Sequence, residues 1–305
     1  MQWLRDDIDF SAYMRQTEAQ VKVRPASLYR DDLRAQFKAK NAPKAHMFST
    51  KLRNDIEFRP GELTCWAGYN GHRKSMFTGQ VALDLCVQRE RVLMASFEMD
   101  PVRTLRRMTT QAFGVARPAD ASLDHFSDWT DGRLWMFDHL GRIEPKLCLA
   151  VGNYFAQELK GTQVFIDSLM MVCASEESLD EQKQFVTDLV RLAQETGLHI
   201  HLIAHCRKPQ DESKPPSKYD LRGTAAISDQ AHNVITVWAN RAKKAKLEAD
   251  PNDFTIGDEP DALVTVEKQR NGAWEGRVKL WFSEQCMRFC DTRTAPLEPY
   301  RLEAA

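Results

Sequence analysis

The sequence has no apolar run approaching the roughly 18 to 20 residues that a membrane-spanning helix needs. Its opening residues, MQWLRDDIDFSAYMRQ, carry charge where a secretory leader keeps an apolar core, which argues against one. Neither sign of charge dominates: 42 Lys and Arg stand against 43 Asp and Glu, a net charge of −1. The surface as a whole therefore draws no polyanion, although positive charge confined to loops facing a ring's channel would. Cysteine is scarce and scattered. The seven residues (Cys65, Cys86, Cys148, Cys173, Cys206, Cys286 and Cys290) are odd in number and sit mostly within apolar runs, as buried thiols of a reduced cytoplasmic protein do. Cys286 and Cys290 have no second metal-spaced pair beside them, which argues against a zinc site. Internal repeats and low-complexity segments are missing too. What is left, 43% hydrophobic and 28% charged over 305 residues, suits one large α/β domain with a modest extension.

Residues 1–54 read as that extension. Leu28, Leu33 and Phe37 lie among charges in 27–40, a one-sided helix capped by Ser27, and a polar, Pro-containing linker follows at 40–44. Such a helix either lies on its own domain or docks on a neighbouring subunit. From Gly61 onward strand-like and helix-like runs alternate, the pattern of a largely parallel sheet flanked by helices. Periodicity predicts strands at 63–67, 91–97, 134–137, 164–166, 199–204 and 234–238, and helices at 75–87, 101–112, 146–159 and 180–195. In the last helix Phe185, Leu189 and Leu192 form one row and Val186, Val190 and Ala193 a second. Residues 241–260 are polar and charged, after which 262–268, 277–282 and 287–290 read as closing strands. The body of the fold spans 55–295, with a tail at 296–305.

The chemistry-bearing residues begin at Gly68. The segment Gly68-Tyr-Asn-Gly71-His72-Arg73-Lys74-Ser75 has a strand leading in and a helix leading out, the setting of a phosphate-binding loop. There backbone N–H groups and the helix N-terminus hold phosphate oxygens. Lys74, facing solvent and phosphate, neutralises charge, and Ser75 ligates Mg²⁺. One position departs from the pattern: Arg73 stands where a glycine is expected. Taken alone, such a loop is also compatible with an ordinary strand–helix turn. Asp167, at the end of the apolar run 164–166, is placed to hold Mg²⁺ through water, or merely to cap the next segment. Glu98, just past the strand at 91–97, could orient or deprotonate a water, or simply lie on the surface. His205, past 199–204, could sense a terminal phosphate. His199, His201 and His205 share a strand face, which permits a metal site, but no carboxylate partner is spaced for one.

The loop 207–222 carries Arg207, Lys208, Lys214, Lys218 and Arg222 in a Pro-rich, mobile setting. Beside a phosphate sensor it suits single-stranded nucleic acid, whereas its acids Asp211, Glu212 and Asp220 fit a solvated loop. Finally, Lys268 and Arg270 sit at a strand tip. Such a tip is often plain surface, and in ring ATPases it reaches the next subunit's nucleotide.

In their joint order, the segments GELTCWAGYNGHRKS, RVLMASFEMD, VFIDSL, HLIAHCRK, DLRGTAAISDQAHNVITVW and VEKQRNGAWEGRVKLWF resemble the ATPase domain of DnaB-type replicative helicases over about residues 55–292. The resemblance implies a RecA-like P-loop ATPase core with a largely parallel sheet flanked by helices, plus the N-terminal helical extension. It implies ATP and Mg²⁺ at Gly68, Gly71, His72, Arg73, Lys74 and Ser75, with Asp167 as the second metal-associated acid. Glu98 becomes the catalytic carboxylate, His205 the γ-phosphate sensor, and Lys268 and Arg270 a cationic pair acting in trans. Arg222 and Gly223 fall in the segment gripping DNA. The expected whole is a cytoplasmic, hexameric ring on single-stranded DNA, with primase or replication-initiation partners. Two departures bear on this. The resemblance includes no collar or primase segment ahead of the motor, and Arg73 is expected to weigh on hydrolysis more than on fold. A RecA-like ATPase serving recombination or loading, and a nucleic-acid-binding ring with degenerate ATPase, are the other readings.

Overall fold

A computed structural model describes residues 25–38, 44–173, 179–208, 211–250 and 255–303, and the chain divides into units Met1–Pro43 and Lys44–Ala305. In the first unit a 3-10 turn, Ala26–Tyr29, runs into helix α1 (Arg30–Lys38). The expected serine cap is not formed. Ser27 lies within the turn, and Pro25 precedes it without a side-chain cap. Leu28, Leu33 and Phe37 are exposed, as is Tyr29. Most of the expected linker, residues 40–43 of 40–44, lies outside the described residues.

In the second unit the apolar runs become strands because each alternates its side chains between two cores. Strands β1 (Leu63–Ala67), β2 (Val92–Ser96), β3 (Leu134–Met136), β4 (Gln163–Asp167), β5 (His199–Ile203) and β6 (Asn233–Ala239) run parallel. Strands β7 (Ala262–Gln269), β8 (Gly276–Ser283) and β9 (Arg288–Cys290) close the sheet antiparallel. The order is β3-β2-β4-β5-β1-β6-β7-β8-β9. The helices are α2 (Lys74–Val87), α3 (Pro101–Phe113), α4 (Asp120–Thr130), α5 (Pro145–Gln157), α6 (Leu169–Val172), α7 (Leu179–Thr196), α8 (Ala226–Gln230) and α9 (Arg241–Ala249).

Central strand β1 is buried throughout. Leu63, Cys65 and Ala67 enter one core with Phe155 of α5 and Phe185 and Leu189 of α7. Trp66 enters the other with Phe77 and Val81 of α2 and with Phe58. Burial of each such large apolar side chain stabilises the fold by about 1.5 to 3 kcal/mol, and truncating Phe185 to Ala would cost about 3 to 5 kcal/mol.

The structure moves both expected boundaries. Met47 and Leu52 are fully buried in the Phe77 core, so the main unit starts at Lys44 rather than at residue 55. At the other end, Tyr300 donates its N–H to the Ala112 carbonyl (2.8 Å), and its ring lies under the Arg288 guanidinium (4.6 Å). That segment is packed, not a free tail. The polar stretch after residue 240 also holds an unanticipated helix, α9, which Asn240 caps by accepting from the Lys243 N–H (3.0 Å). Among the described residues no helix is long and apolar enough to cross a membrane.

Candidate active site

In a parallel sheet the loops beyond the carboxyl ends of the strands converge. Here the ends of β1, β2, β4 and β5 bring Lys74, Ser75, Glu98, Asp167 and His205 together. The loop after β1 needs its glycines. Gly68 lies against the Val237 carbonyl where a Cβ would collide, and Gly71 adopts φ +73 with the Arg241 guanidinium on the side a Cβ would take. His72 is buried, and its Nδ1 accepts from the Ala239 N–H (3.1 Å). Arg73 precedes α2 at φ 64, ψ 24, a left-handed conformation, and supplies no side-chain cap. The first N–H groups of α2 thus face the loop without a competing side chain, which is how a helix start receives an anion.

Lys74 differs from expectation. Rather than facing solvent it is only 5% exposed, folded back to donate to the carbonyls of Gly68 (2.8 Å) and Tyr69 (2.9 Å) and to His205 Nδ1 (3.2 Å). An ammonium has three protons; two carbonyls of the loop and the His205 ring take all three. Burial lowers its pKa. Because Nδ1 of His205 accepts, its ring proton sits on Nε2, which faces Glu98 Oε1 at 3.7 Å. The same carboxylate oxygen accepts from the Ser168 hydroxyl (2.8 Å). The nearby His205 ring lowers the Glu98 pKa, burial opposes that, and the hydrogen bond from Ser168 adds to the lowering. A lysine–histidine–carboxylate connection therefore spans three strand ends.

Asp167 is enclosed, and burial raises its pKa against the lowering effect of a hydrogen bond from Ser75. An enclosed carboxylate beside a hydroxyl fits a hard cation that takes oxygen ligands. Ser75 and Asp167 are the residues that would hold Mg²⁺. His199 and His201 belong elsewhere. They are buried in the sheet, bonded to Thr64 (2.8 Å), the Arg59 carbonyl (2.7 Å), Trp66 (3.1 Å) and Gln163 (3.0 Å).

Residues 52–211, over half of the sequence, match the family model described as "AAA domain". The chain belongs to the AAA domain family. Residues 141–291 match the model of the DnaB-like helicase C terminal domain. Among solved structures, this AAA-domain chain is similar to one described as an ATPase domain, with TM-score 0.67 and 17% identity over 87% of this chain and 98% of that one. It is also similar to a DnaB-like replicative helicase solved with regard to its interactions with primase. That match has TM-score 0.67 and 15% identity over 92% of this chain and 71% of that one. The RecA-like architecture and the resemblance read from the motifs stand together on these matches, and the chain has the make-up of a P-loop NTPase.

The basic loop of the AAA-domain chain is less free than its prolines suggest. The Arg207 N–H donates to the Asp220 carbonyl (2.8 Å), the Arg222 N–H to the His205 carbonyl (2.8 Å), and Cys206 bridges Leu221. Farther along, the Glu212 carbonyl accepts from Trp238 Nε1 (3.0 Å). Arg207, Lys208 and Lys214 are exposed, Lys218 is half-buried, and Gly223 turns at φ +109. A cleft of about 850 Å³ beside Tyr69 and Asn70 is lined by Arg207, Lys208, Arg222 and Arg241 against one acid, Glu212. Such a wall attracts polyanions although the whole chain is nearly neutral.

Sequence reasoning missed Arg241. Its guanidinium donates to the Asn70 carbonyl (3.1 Å) and to Glu212 (3.0 Å), linking the phosphate-loop segment to the basic loop. No local signal marks it, since 171 residues separate Arg241 from Asn70. Ser168 escaped for a similar reason. Its place beside Glu98 depends on β2 pairing β4.

Lys268 and Arg270 are not brought to Lys74. Gln269 pairs with Asn233, and Asn233 with Thr64, so this tip lies where β1 begins, whereas Gly68 follows where β1 ends. About 3.3 Å per residue puts roughly 13 Å of strand between them. Lys268 donates to the carbonyls of Ser228 (2.8 Å) and Asp229 (2.9 Å), and Arg270 to that of Asp229 (3.0 Å), so both cations complement the C-terminal end of α8.

Proposed function

We propose that this chain is an ATP-hydrolysing motor of DnaB type that moves along single-stranded DNA as a hexameric ring. The observation that carries this reading is the connection Lys74–His205–Glu98, whose histidine pairs through its own carbonyl with Arg222 of the basic loop. One residue thereby touches the phosphate-binding lysine, the carboxylate and the loop offered to nucleic acid.

In this reading the main chain of Gly68, Gly71, His72 and Arg73 cradles ATP phosphates, and Lys74 exchanges its carbonyl partners for phosphate oxygens. Ser75 and Asp167 hold Mg²⁺, which supplies charge neutralisation on the phosphates. Glu98, with a lowered pKa, is ionised at neutral pH and accepts a proton from the water that attacks the terminal phosphorus. The bond from that phosphorus to the bridging oxygen breaks, leaving ADP and phosphate. His205 reads whether the terminal phosphate is present and passes the change to Arg207, Lys208, Lys214, Lys218, Arg222 and Gly223 on the DNA side. Lys268 and Arg270, remote from their own phosphate loop, serve the nucleotide of the next copy. Primase or a replication-initiation factor is the partner class, in a cytoplasmic setting.

A second reading, a nucleic-acid-binding ring with a degenerate ATPase that binds nucleotide poorly, is favoured by Arg73 alone. Strand displacement on a forked DNA duplex separates the possibilities. ATP-dependent release of the shorter strand is expected. Turnover without release would assign a loading or recombination role, and neither binding nor turnover would assign the degenerate ring.

A further inference from the structure

Tyr219 is 82% exposed, more than any other large hydrophobic side chain among the described residues. It does not ride on a slack loop. It occupies the 3-10 turn Lys218–Asp220, closed by a capping box. The Asp220 carboxylate accepts from the N–H (2.7 Å) and hydroxyl (2.9 Å) of Ser217, whose hydroxyl accepts from the Tyr219 N–H (3.3 Å). Buried Pro216 and Leu221 flank the turn, and the main-chain pairs from Arg207 to Asp220 and from Arg222 to His205 fix it to the strand end that carries the sensor. The protein thus holds a bare aromatic ring outward on a rigid pedestal.

One cation lies beside the ring, on a loop whose exposed residues also include Asp211 and Glu212. The Lys218 ammonium lies 5.5 Å from the ring centroid, and Arg207, Lys208 and Lys214 are exposed on the same loop. Cations that track phosphates, interleaved with an exposed aromatic face, are what a single strand of nucleic acid is held by. Each base offers a π-face that any sequence can supply. Tyrosine suits the task because few torsions are frozen when it stacks. We infer that Tyr219 is a stacking platform for a base of single-stranded DNA, and that its pedestal ties the stacked base directly to His205.

This inference rests on the single-stranded DNA reading of the loop, and the test separates the two. Binding of wild type, Tyr219→Ala and Tyr219→Trp is measured by anisotropy on a labelled oligodeoxyadenylate and on an abasic strand of equal length, over a series of salt concentrations. For Tyr219→Ala the affinity on the adenylate falls by about 5- to 150-fold, the range for one lost base–aromatic stack. The slope against salt stays unchanged, because no phosphate contact is lost. On the abasic strand wild type and Tyr219→Ala bind alike, and Tyr219→Trp restores the adenylate affinity. An equal loss on both strands, a flattened salt slope, or a loss of assembly in sedimentation that Trp does not restore overturns the platform and leaves Tyr219 a phosphate or subunit contact. If wild type binds both strands equally, only the platform falls. If it binds neither, the DNA reading falls with it.

Discussion

Replacing Arg73 with glycine tests how this chain tolerates a departure in its phosphate loop. The left-handed conformation, φ 64 and ψ 24, costs an L-residue about 1 to 2 kcal/mol that glycine would not pay. Three effects oppose that relief. The guanidinium lies 4.0 Å from the Phe282 ring centroid, a contact of about 0.5 to 1 kcal/mol at a partly open site. Its 3.3 Å ion pair is with Glu284, which is 67% exposed, and contributes about 0 to 1 kcal/mol. Glycine also gives the unfolded chain about 0.4 to 1 kcal/mol of extra freedom. The sum is close to zero, so Arg73→Gly should shift unfolding free energy by no more than about 1 kcal/mol. Nucleotide affinity follows a different account. The backbone strain is already present without nucleotide and drops out of the difference, leaving the side chain to decide. Arg73 covers Phe282 in a 470 Å³ cleft beside the loop, an aromatic wall suited to a nucleoside base. A base must displace the guanidinium from that ring, which costs roughly the 0.5 to 1 kcal/mol of the contact, or about two- to fivefold in affinity. Calorimetric titration with a slowly hydrolysed ATP analogue and Mg²⁺ should therefore show Arg73→Gly binding about two- to fivefold more tightly, with turnover raised. The gain should vanish in a Phe282→Ala background. Weaker binding by Arg73→Gly would refute the reasoning and make the arginine a working part of the site.

Because Lys268 and Arg270 lie at the far edge of the sheet from Lys74, mixing Lys74→Ala with Arg270→Ala protein should regain ATP turnover at interfaces that pair two intact halves. Activity that only follows dilution of the two dead parents would place the pair in another role. Alanine at Lys208, Lys214 and Arg222 should flatten the dependence of log affinity for single-stranded DNA on log salt by about two units, since each phosphate contact contributes roughly 0.7. An unchanged slope moves the DNA contacts elsewhere. His72 is buried neutral, its pKa lowered to about 4 chiefly by burial and then by Arg241. Between about pH 4 and 6.5 the unfolded chain binds a proton there that the folded chain does not, so stability falls as pH drops through this window. His72→Gln should remove about one proton from that dependence, roughly 1.4 kcal/mol per pH unit in chemical denaturation at pH 5, and an identical slope would contradict it.

The parallel half of the fold was legible because each of its strands is an apolar run that ends in a loop, and loops at one sheet edge must meet. That is why Lys74, Ser75, Glu98, Asp167 and His205 could be named from the sequence. Helices α4 and α9 were not legible. The first offers only Leu123, Phe126 and Trp129 at three-residue spacing, and the second is a basic helix with little apolar face, so periodicity is faint in both. The inward fold of Lys74 was hidden because its partners include main-chain carbonyls of its own loop, which composition does not reveal. Arg241, Glu212 and Ser168 take their meaning from partners distant in sequence. Tyr219 looked ordinary because nothing local distinguishes an exposed ring on a fixed turn from one on a loose loop.

The central claim, that nucleotide turnover and single-stranded DNA are coupled through Lys74, His205 and Glu98, is tested most directly by steady-state ATP hydrolysis with and without oligodeoxythymidylate. Wild type should accelerate with the strand. Glu98→Gln should keep nucleotide binding while losing turnover by at least about 100-fold, the lower end of a general base's contribution. His205→Ala should retain the slower DNA-free rate and lose the acceleration. A turnover indifferent to the strand in wild type, or one that survives Glu98→Gln, would contradict the account.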